Sequence, residues 1–237
     1  MLETVIEQAN GRVPVYAGTG CVSTRETIAQ SRMARDAGAD VLSIITPSFA
    51  AASQQELYDH YRAVAEAVDI PIVLYNIPAR TGNALAPETV ASLSRIENIV
   101  GAKDSSGNWD NMKAYLDGTR GSGFAVLSGN DGLILDCLKN GGRGGVAGCA
   151  NVYPRTMASI YDCFAAGDLE KAQEYQASIA SFRACFKYGN PNTVVKTAVA
   201  LLGYDVGKCR APFNQLPEEG VAALRQVLRE NAEKGMH

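Results

Sequence analysis

Two side chains in this sequence could capture a carbonyl carbon and move a proton beside it. Lys103 closes the partly apolar run Ile96-Glu97-Asn98-Ile99-Val100-Gly101-Ala102 and opens the polar stretch Asp104-Ser105-Ser106-Gly107. Burial at the carboxyl end of a strand favours the neutral form of a lysine, and a neutral amine attacks carbonyls. A second run, Pro71-Ile72-Val73-Leu74, leads into Tyr75 and the segment Asn76-Ile77-Pro78-Ala79-Arg80-Thr81-Gly82. As parallel neighbours about 5 Å apart, the two runs would bring Tyr75 and Lys103 to one edge of a sheet. A phenol beside an amine is a proton relay beside a carbonyl-capturing nucleophile, the pairing for Schiff-base chemistry on a small keto acid. The plainer alternative is a strand-end lysine whose aliphatic stem carries its charge to solvent.

The elements that would position this pair recur along the chain. Strand-like runs begin near Val13 (VPVYAG), Asp40 (DVLSIIT), Pro71 (PIVLYN), Asn98 (NIVGAK), Phe124 (FAVLSG) and Arg143 (RGGVAG). A helical pattern separates each pair, which is the signature of consecutive βα units and a parallel sheet. Ser23 with Glu26 starts a helix that Gly38 stops, Ser53 with Glu56 forms a capping box, and Pro87 opens a further helix. After Tyr153-Pro154 the strands cease and helical stretches follow at 154–166, 168–188, 191–202 and 217–235. The predicted organisation is a partial (β/α) barrel over 1–153 and a C-terminal helical segment over 154–237, of the same domain or a subdomain. Six strands fall short of the eight that close a (β/α)8 barrel. The runs alone allow either an open six-stranded α/β sheet or a barrel whose first two βα units are absent.

Composition removes several function classes. The 237 residues are 46% hydrophobic and 20% charged, enough for one sizeable α/β core. A formal net charge of −3 and a pI near 5.5 leave no electrostatic footprint for nucleic acid. No stretch has the apolar length of a membrane span, and the first residues lack a signal peptide's basic start and apolar middle. Six cysteines, at 21, 137, 149, 163, 185 and 209, form no C-x-x-C pair and read as reduced, mostly buried thiols of a cytoplasmic protein. With His60 and His237 as the two histidines, neither a zinc site nor a hydrolytic triad is expected. An aldolase written in this sequence would have to use a lysine, with no metal and no cofactor.

The motifs that carry a resemblance are AGTG at 17–20, ITP at 45–47, SQQELYDHY at 53–61, YNIPARTG at 75–82, GAKDSSGN at 101–108, LSGND at 127–131 and GGVAGCANV at 144–152. From Met1 to about Glu230 the chain resembles the dihydrodipicolinate synthase/N-acetylneuraminate lyase family of pyruvate-dependent class I aldolases. The resemblance implies a TIM-barrel-type fold, incomplete at about six strands, with a C-terminal helical segment. It implies that Lys103 forms the Schiff base with pyruvate and that Tyr75 relays protons. Arg80 would bind a carboxylate of the second substrate, and main chain near Val146 would help hold the keto acid. The implied partners are small keto acids and aldehydes within a homo-oligomer.

Two departures stand out. The family's Gly-Thr-Thr-Gly-Glu motif, whose threonines contact the pyruvate carboxylate, has no counterpart here, because the match starts in the helix that follows it. Phe49 stands where the synthases supply a tyrosine across a subunit contact. YNIPARTG favours the synthase branch, which joins pyruvate to aspartate semialdehyde in lysine biosynthesis. Phe49 and KDSSG favour lyases of 2-keto-3-deoxy sugar acids or a less well-defined branch of the family, and an N-acetylneuraminate-type lyase is a further alternative that the resemblance allows. An inactive, truncated family member is the non-catalytic alternative. Elsewhere, Gly141-Gly142-Arg143-Gly144-Gly145 reads as a tight turn rather than a phosphate cradle, and Lys196 as part of a helix packing face. Asp104 and Asp131 are carboxylates that could titrate in a cleft, although at strand ends such groups more often cap or bond nearby backbone.

Overall fold

The computed structural model describes residues 1–213 and 215–237. Six strands form one parallel sheet in sequential order: β1 Tyr16–Gly18, β2 Val41–Ile45, β3 Ile72–Asn76, β4 Ile99–Asp104, β5 Ala125–Ser128 and β6 Gly144–Gly145. Every run read as a strand from sequence becomes one. β1 starts at Tyr16 rather than Val13, and each of the others starts one residue after the expected position.

The chain divides into two compact units, one of Met1–Asn130 with Lys139–Gly145 and one of Asp131–Leu138 with Val146–His237. The first holds the whole sheet and the helices α1 Leu2–Ala9, α2 Thr24–Asp36, α3 Gln54–Ala67, α4 Pro78–Thr81, α5 Pro87–Leu93 and α6 Trp109–Gly118. Successive helices α2, α3, α5 and α6 contact one another in turn. A strand order that never reverses, with helices adjoining in the same sequence, is the winding of a barrel rather than of a doubly wound sheet.

Local sequence explains these elements. A parallel sheet is covered on both faces and therefore reads as near-continuous apolar runs. Leu42, Ile44, Ile72 and Leu74 are completely buried, and burying a side chain of this kind contributes roughly 1.5–3 kcal/mol. The Ser23 side chain accepts the Glu26 N–H at the start of α2, and Ser53 with Glu56 completes a reciprocal capping box on α3. Gly38, at φ +96°, ends α2. Helix α3 is tied to the strands at two points. Tyr61 Oη donates to Ile44 O at 3.0 Å, and Asn98 Nδ2, just before β4, donates to Ala65 O and Val68 O at 2.9 Å each.

The second unit is helical: α7 Ile134–Lys139 (whose last residue belongs to the first unit), α8 Pro154–Ala165, α9 Leu169–Ser178, α10 Ala180–Ala184, α11 Pro191–Leu201 and α12 Glu218–Glu233. The stretch read as one helix over 168–188 is divided. A tightened turn at Ile179 (φ −74°, ψ −7°) separates α9 from α10, and Cys185–Tyr188 continues as a 3-10 turn. Its core surrounds Phe182, which meets Tyr153 and Phe186 edge to face at 5.4 and 5.7 Å. Asp131 pairs with Arg183 at 2.9 Å and accepts the Cys149 N–H at 3.1 Å, so its carboxylate is spent inside this unit. Among the described residues no helix is long and apolar enough to cross a membrane.

Candidate active site

Backbone register places the candidate residues. Ile45, Tyr75, Lys103, Leu127 and Gly144 form one row across β2 to β6, and Asn76, Asp104, Ser128 and Gly145 form the next row across β3 to β6. Tyr75 and Lys103 are therefore direct cross-strand partners, as their strand-end positions predict. One irregularity makes this possible. Ile72 pairs with Ile99 but Val73 pairs with Gly101, so Val100 is an extra residue on β4. A one-residue slip turns every later side chain to the opposite face. Without the bulge Tyr75 would face Ala102, and Lys103 would point to the other side of the sheet. Gly101 beside it has no room for a side chain: a Cβ there would lie 2.5 Å from Ala125 O on β5.

Lys103 Nζ lies over the Tyr75 ring, 3.8 Å from its centroid. A cation is attracted to the face of an aromatic ring. This contact gives the Lys103 amine a fixed place, with the phenol oxygen at the rim of the same ring. Neither head group makes a hydrogen bond to another described residue, and both residues are half-buried. The amine is thus placed and its donors are free. Such an arrangement can take up a carbonyl compound at the amine.

Two further residues shape this space, and sequence reasoning singled out neither. The Ser105 hydroxyl is buried and has no hydrogen-bond partner. A Cβ on Gly129 would collide with Ser105 Oγ and lie 2.9 Å from Lys103 Cε. Gly129 therefore leaves the room in which the lysine stem and the serine hydroxyl lie side by side. Their signal was present in KDSSG and LSGND, but only the fold shows that the two motifs meet.

Arg80 lies in α4, on the loop that leaves β3. It is exposed, and its side chain makes no ion pair or hydrogen bond among the described residues. A loop arginine bonded to nearby carbonyls would show such bonds; this fork is open to a ligand. The loop itself is well fixed. Thr46 Oγ1 donates to Thr81 Oγ1 at 2.9 Å, and the Asn83 amide donates to Pro47 O and Ala50 O and accepts the Ala52 N–H, each at 2.8 Å. These bonds bind the loop after β3 to the loop after β2. That second loop displays Phe49, 99% exposed and held at φ +82°. Val146 is the residue that follows β6, and its side chain is partly exposed.

Other nucleophiles are poorly suited. All six cysteines are free thiols; Cys137, Cys149 and Cys185 are buried and the other three partly so. Burial, reinforced by the Asp131 charge, pushes the Cys149 thiol up to about 12, so it stays protonated at neutral pH. Among the described residues no group of three or more histidine, cysteine or acidic side chains is gathered as metal ligands would be.

The chain matches the dihydrodipicolinate synthetase family over residues 1–231. It is 43% identical over 224 residues to a 4-hydroxy-tetrahydrodipicolinate synthase of Methanoculleus marisnigri, covering 94% of this chain and 76% of that one. To the 4-hydroxy-tetrahydrodipicolinate synthase of Methanospirillum hungatei it is 38% identical over 229 residues, covering 96% and 78%. The crystal structure of dihydrodipicolinate synthase from Thermotoga maritima superposes with a TM-score of 0.93 at 31% identity, covering 98% of this chain and 79% of that one. A dihydrodipicolinate synthase from Acinetobacter baumannii, complexed with pyruvate, also gives 0.93 at 35% identity, with the same coverage. The TIM-barrel-type reading of the six βα units and the expected kinship both stand. The chain belongs to the dihydrodipicolinate synthetase family.

Proposed function

We propose that this chain condenses pyruvate with a carboxylate-bearing aldehyde, aspartate semialdehyde first among them, through an imine on Lys103. The observation that carries the reading is the single cross-strand row holding Tyr75 and Lys103, with Nζ over the ring at 3.8 Å. The relatives named 4-hydroxy-tetrahydrodipicolinate synthase and the pyruvate complex of a structural neighbour support it. In this reading the Lys103 amine adds to the pyruvate ketone and water leaves to give the imine. The imine nitrogen, protonated, draws electrons as a proton leaves the adjacent methyl carbon, and the resulting enamine attacks the aldehyde carbon. Tyr75 carries the protons between these steps. Arg80 meets the aldehyde's carboxylate with its planar fork. Main chain near Val146 is assigned to the keto acid on the resemblance alone.

The exposed Phe49 favours a second reading, since it offers no phenol to a relay: cleavage of a 2-keto-3-deoxy sugar acid through the same imine. The substrates are small molecules in either case, and assembly into a homo-oligomer in the cytoplasm belongs to the same proposal. Borohydride reduction in the presence of pyruvate tests the shared step. Mass spectrometry is expected to find the pyruvyl adduct on Lys103 and none in Lys103→Ala. An adduct on another lysine, or no adduct at all, would sink the assignment and leave the non-catalytic alternative. Steady-state kinetics with aspartate semialdehyde and with 2-keto-3-deoxygluconate then choose between the two reactions.

A further inference from the structure

Immediately beyond Tyr75 and Lys103, Asn76 and Asp104 face each other across the same two strands. Both are shut off from solvent, at 1% and 0% exposure. Asn76 Nδ2 donates to Asp104 Oδ1 at 2.7 Å, and Asn76 Oδ1 accepts the Leu85 N–H at 3.0 Å. Ser106 supplies the remaining donors to Asp104, its N–H to Oδ1 at 3.2 Å and its hydroxyl to Oδ2 at 2.7 Å. The Leu85 N–H fixes which way the Asn76 amide is turned, because only the amide oxygen can accept it. The amide nitrogen is left for Asp104, whose Oδ1 receives two donors and so can only accept. In the native joint the Asn76 amide is therefore held in one orientation, as donor to Asp104.

Three pieces of chain meet at Asn76: the strand that bears Tyr75, the strand that bears Lys103, and the segment that follows Arg80 toward α5. We propose that Asn76 and Asp104 are positioning residues of the imine site, a buried amide–carboxylate joint that holds Lys103 in register with Tyr75 and couples the Arg80 loop to both. The proposal rests on the reading of Lys103 as the imine lysine. Neither side chain touches substrate. They act through the residue that precedes each of them, because a shift at the joint is a shift of the strand ends. A joint of this kind is satisfied only when complete, and a partly satisfied buried polar network costs more than none.

The test uses Asn76→Asp, Asp104→Asn and the double exchange in the full 237-residue chain. Asn76→Asp sets two buried carboxylates face to face, which cannot both be ionised. Turnover and the rate of borohydride trapping with pyruvate are expected to fall roughly 30-fold or more at pH 8, the scale for breaking a buried charged hydrogen bond. Both should recover toward pH 6, where a shared proton restores the missing donor, while the parent protein gains nothing over that range. The double exchange restores one charge and one donor, so it should trap pyruvate at least about 10-fold faster than either single variant. Its recovery stays partial, because the Ser106 N–H loses its acceptor.

A pH profile of Asn76→Asp that parallels the parent's would overturn the proposal, as would a double variant no faster than the singles. If Asn76→Asp does not fold, the double variant decides alone, and its failure to fold or to trap pyruvate counts against the joint. A parent chain that traps pyruvate on Lys103, with variants that behave identically, removes the inference and leaves the imine reading intact. A parent chain with no adduct on Lys103 removes both.

Discussion

Tyr75 and Lys103 have head groups with no hydrogen bond among the described residues, whereas Asn76 and Asp104, one residue further along the same strands, are buried and bonded to each other and to Leu85 and Ser106. The two rows share backbone, register and position at the carboxyl ends of the strands. They differ in how far folding has used up their polar groups. Buried polar groups are bonded almost without exception because leaving one unmade costs about 1–3 kcal/mol. A row that keeps its donors and acceptors unspent is therefore maintained by its neighbours, and here the neighbour is the bonded row. Reactive groups stay available because the adjacent residues are not.

The largest way to break this contrast is to spend or delete the open groups. Tyr75→Phe keeps the ring face beneath Nζ and removes only the hydroxyl. If the phenol relays protons, kcat/KM for condensation should fall about 10²–10⁴-fold, the range for a positioned general acid–base, with little change in thermal stability. A loss of only two- or threefold would show that Tyr75 serves as a cation shelf and that the relay lies elsewhere. Arg80→Ala comes next. Losing a desolvated carboxylate partner commonly costs 2–5 kcal/mol, so kcat/KM for the aldehyde should drop at least ~30-fold. Pyruvate trapping on Lys103 should hardly change. Equal losses in trapping and turnover would mean that Arg80 supports the loop rather than the acceptor.

Which parts of this contrast the sequence discloses follows from how local each one is. Strands appear as apolar runs and helix starts as capping signals such as Ser53 with Glu56, since both are written in a few consecutive residues. Lys103 and Tyr75 are legible because each ends such a run. The Val100 bulge is not, although it decides which face Lys103 occupies, because it exists only relative to β3. The Asn76–Asp104 joint and the Ser105–Gly129 contact join residues 28 and 24 apart, counted from their numbers. Composition shows such residues as polar or small but cannot show that they meet. The interruption at Ile179 is hidden for another reason: both sides of it are good helix, and packing of the second unit's core selects the break.

A smaller probe sharpens the role of space. Gly129→Ala would drive a methyl into Ser105 Oγ and against Lys103 Cε. Overpacking of this kind costs roughly 1–3 kcal/mol, and moving the lysine stem should slow pyruvate trapping about tenfold. Gly18→Ala is the control, because its added Cβ would meet nothing nearer than Ser43 O at 4.0 Å. Equal trapping rates in the two variants would mean that the Lys103 stem has more freedom than the contact implies.

The smallest expected effect tests whether an unsatisfied buried atom marks a reactive site at all. His60 in α3 is 6% exposed; its Nδ1 bonds Thr24 Oγ1 at 2.9 Å, and its Nε2 is buried without a partner. Burial lowers its pKa below the ordinary value. In the unfolded chain the imidazole takes up a proton as pH falls through about 6.5, while the folded protein resists doing so. Its contribution to stability is therefore complete above that pH and is lost as pH drops below it, with a slope of at most ~1.4 kcal/mol per pH unit. In His60→Gln this loss should vanish, because a glutamine side chain takes up no proton over this range. Between pH 7.5 and 5.5 the parent's melting temperature should fall about 2–4 °C further than the variant's, the shift that ~1 kcal/mol gives in a chain of this size. Pyruvate trapping at pH 7.5 should be the same in both. Parallel melting curves would show that the His60 ring finds a proton partner when it charges. Slower trapping in the variant would show that His60 reaches the lysine, and an open valence would then have marked function even inside a helix.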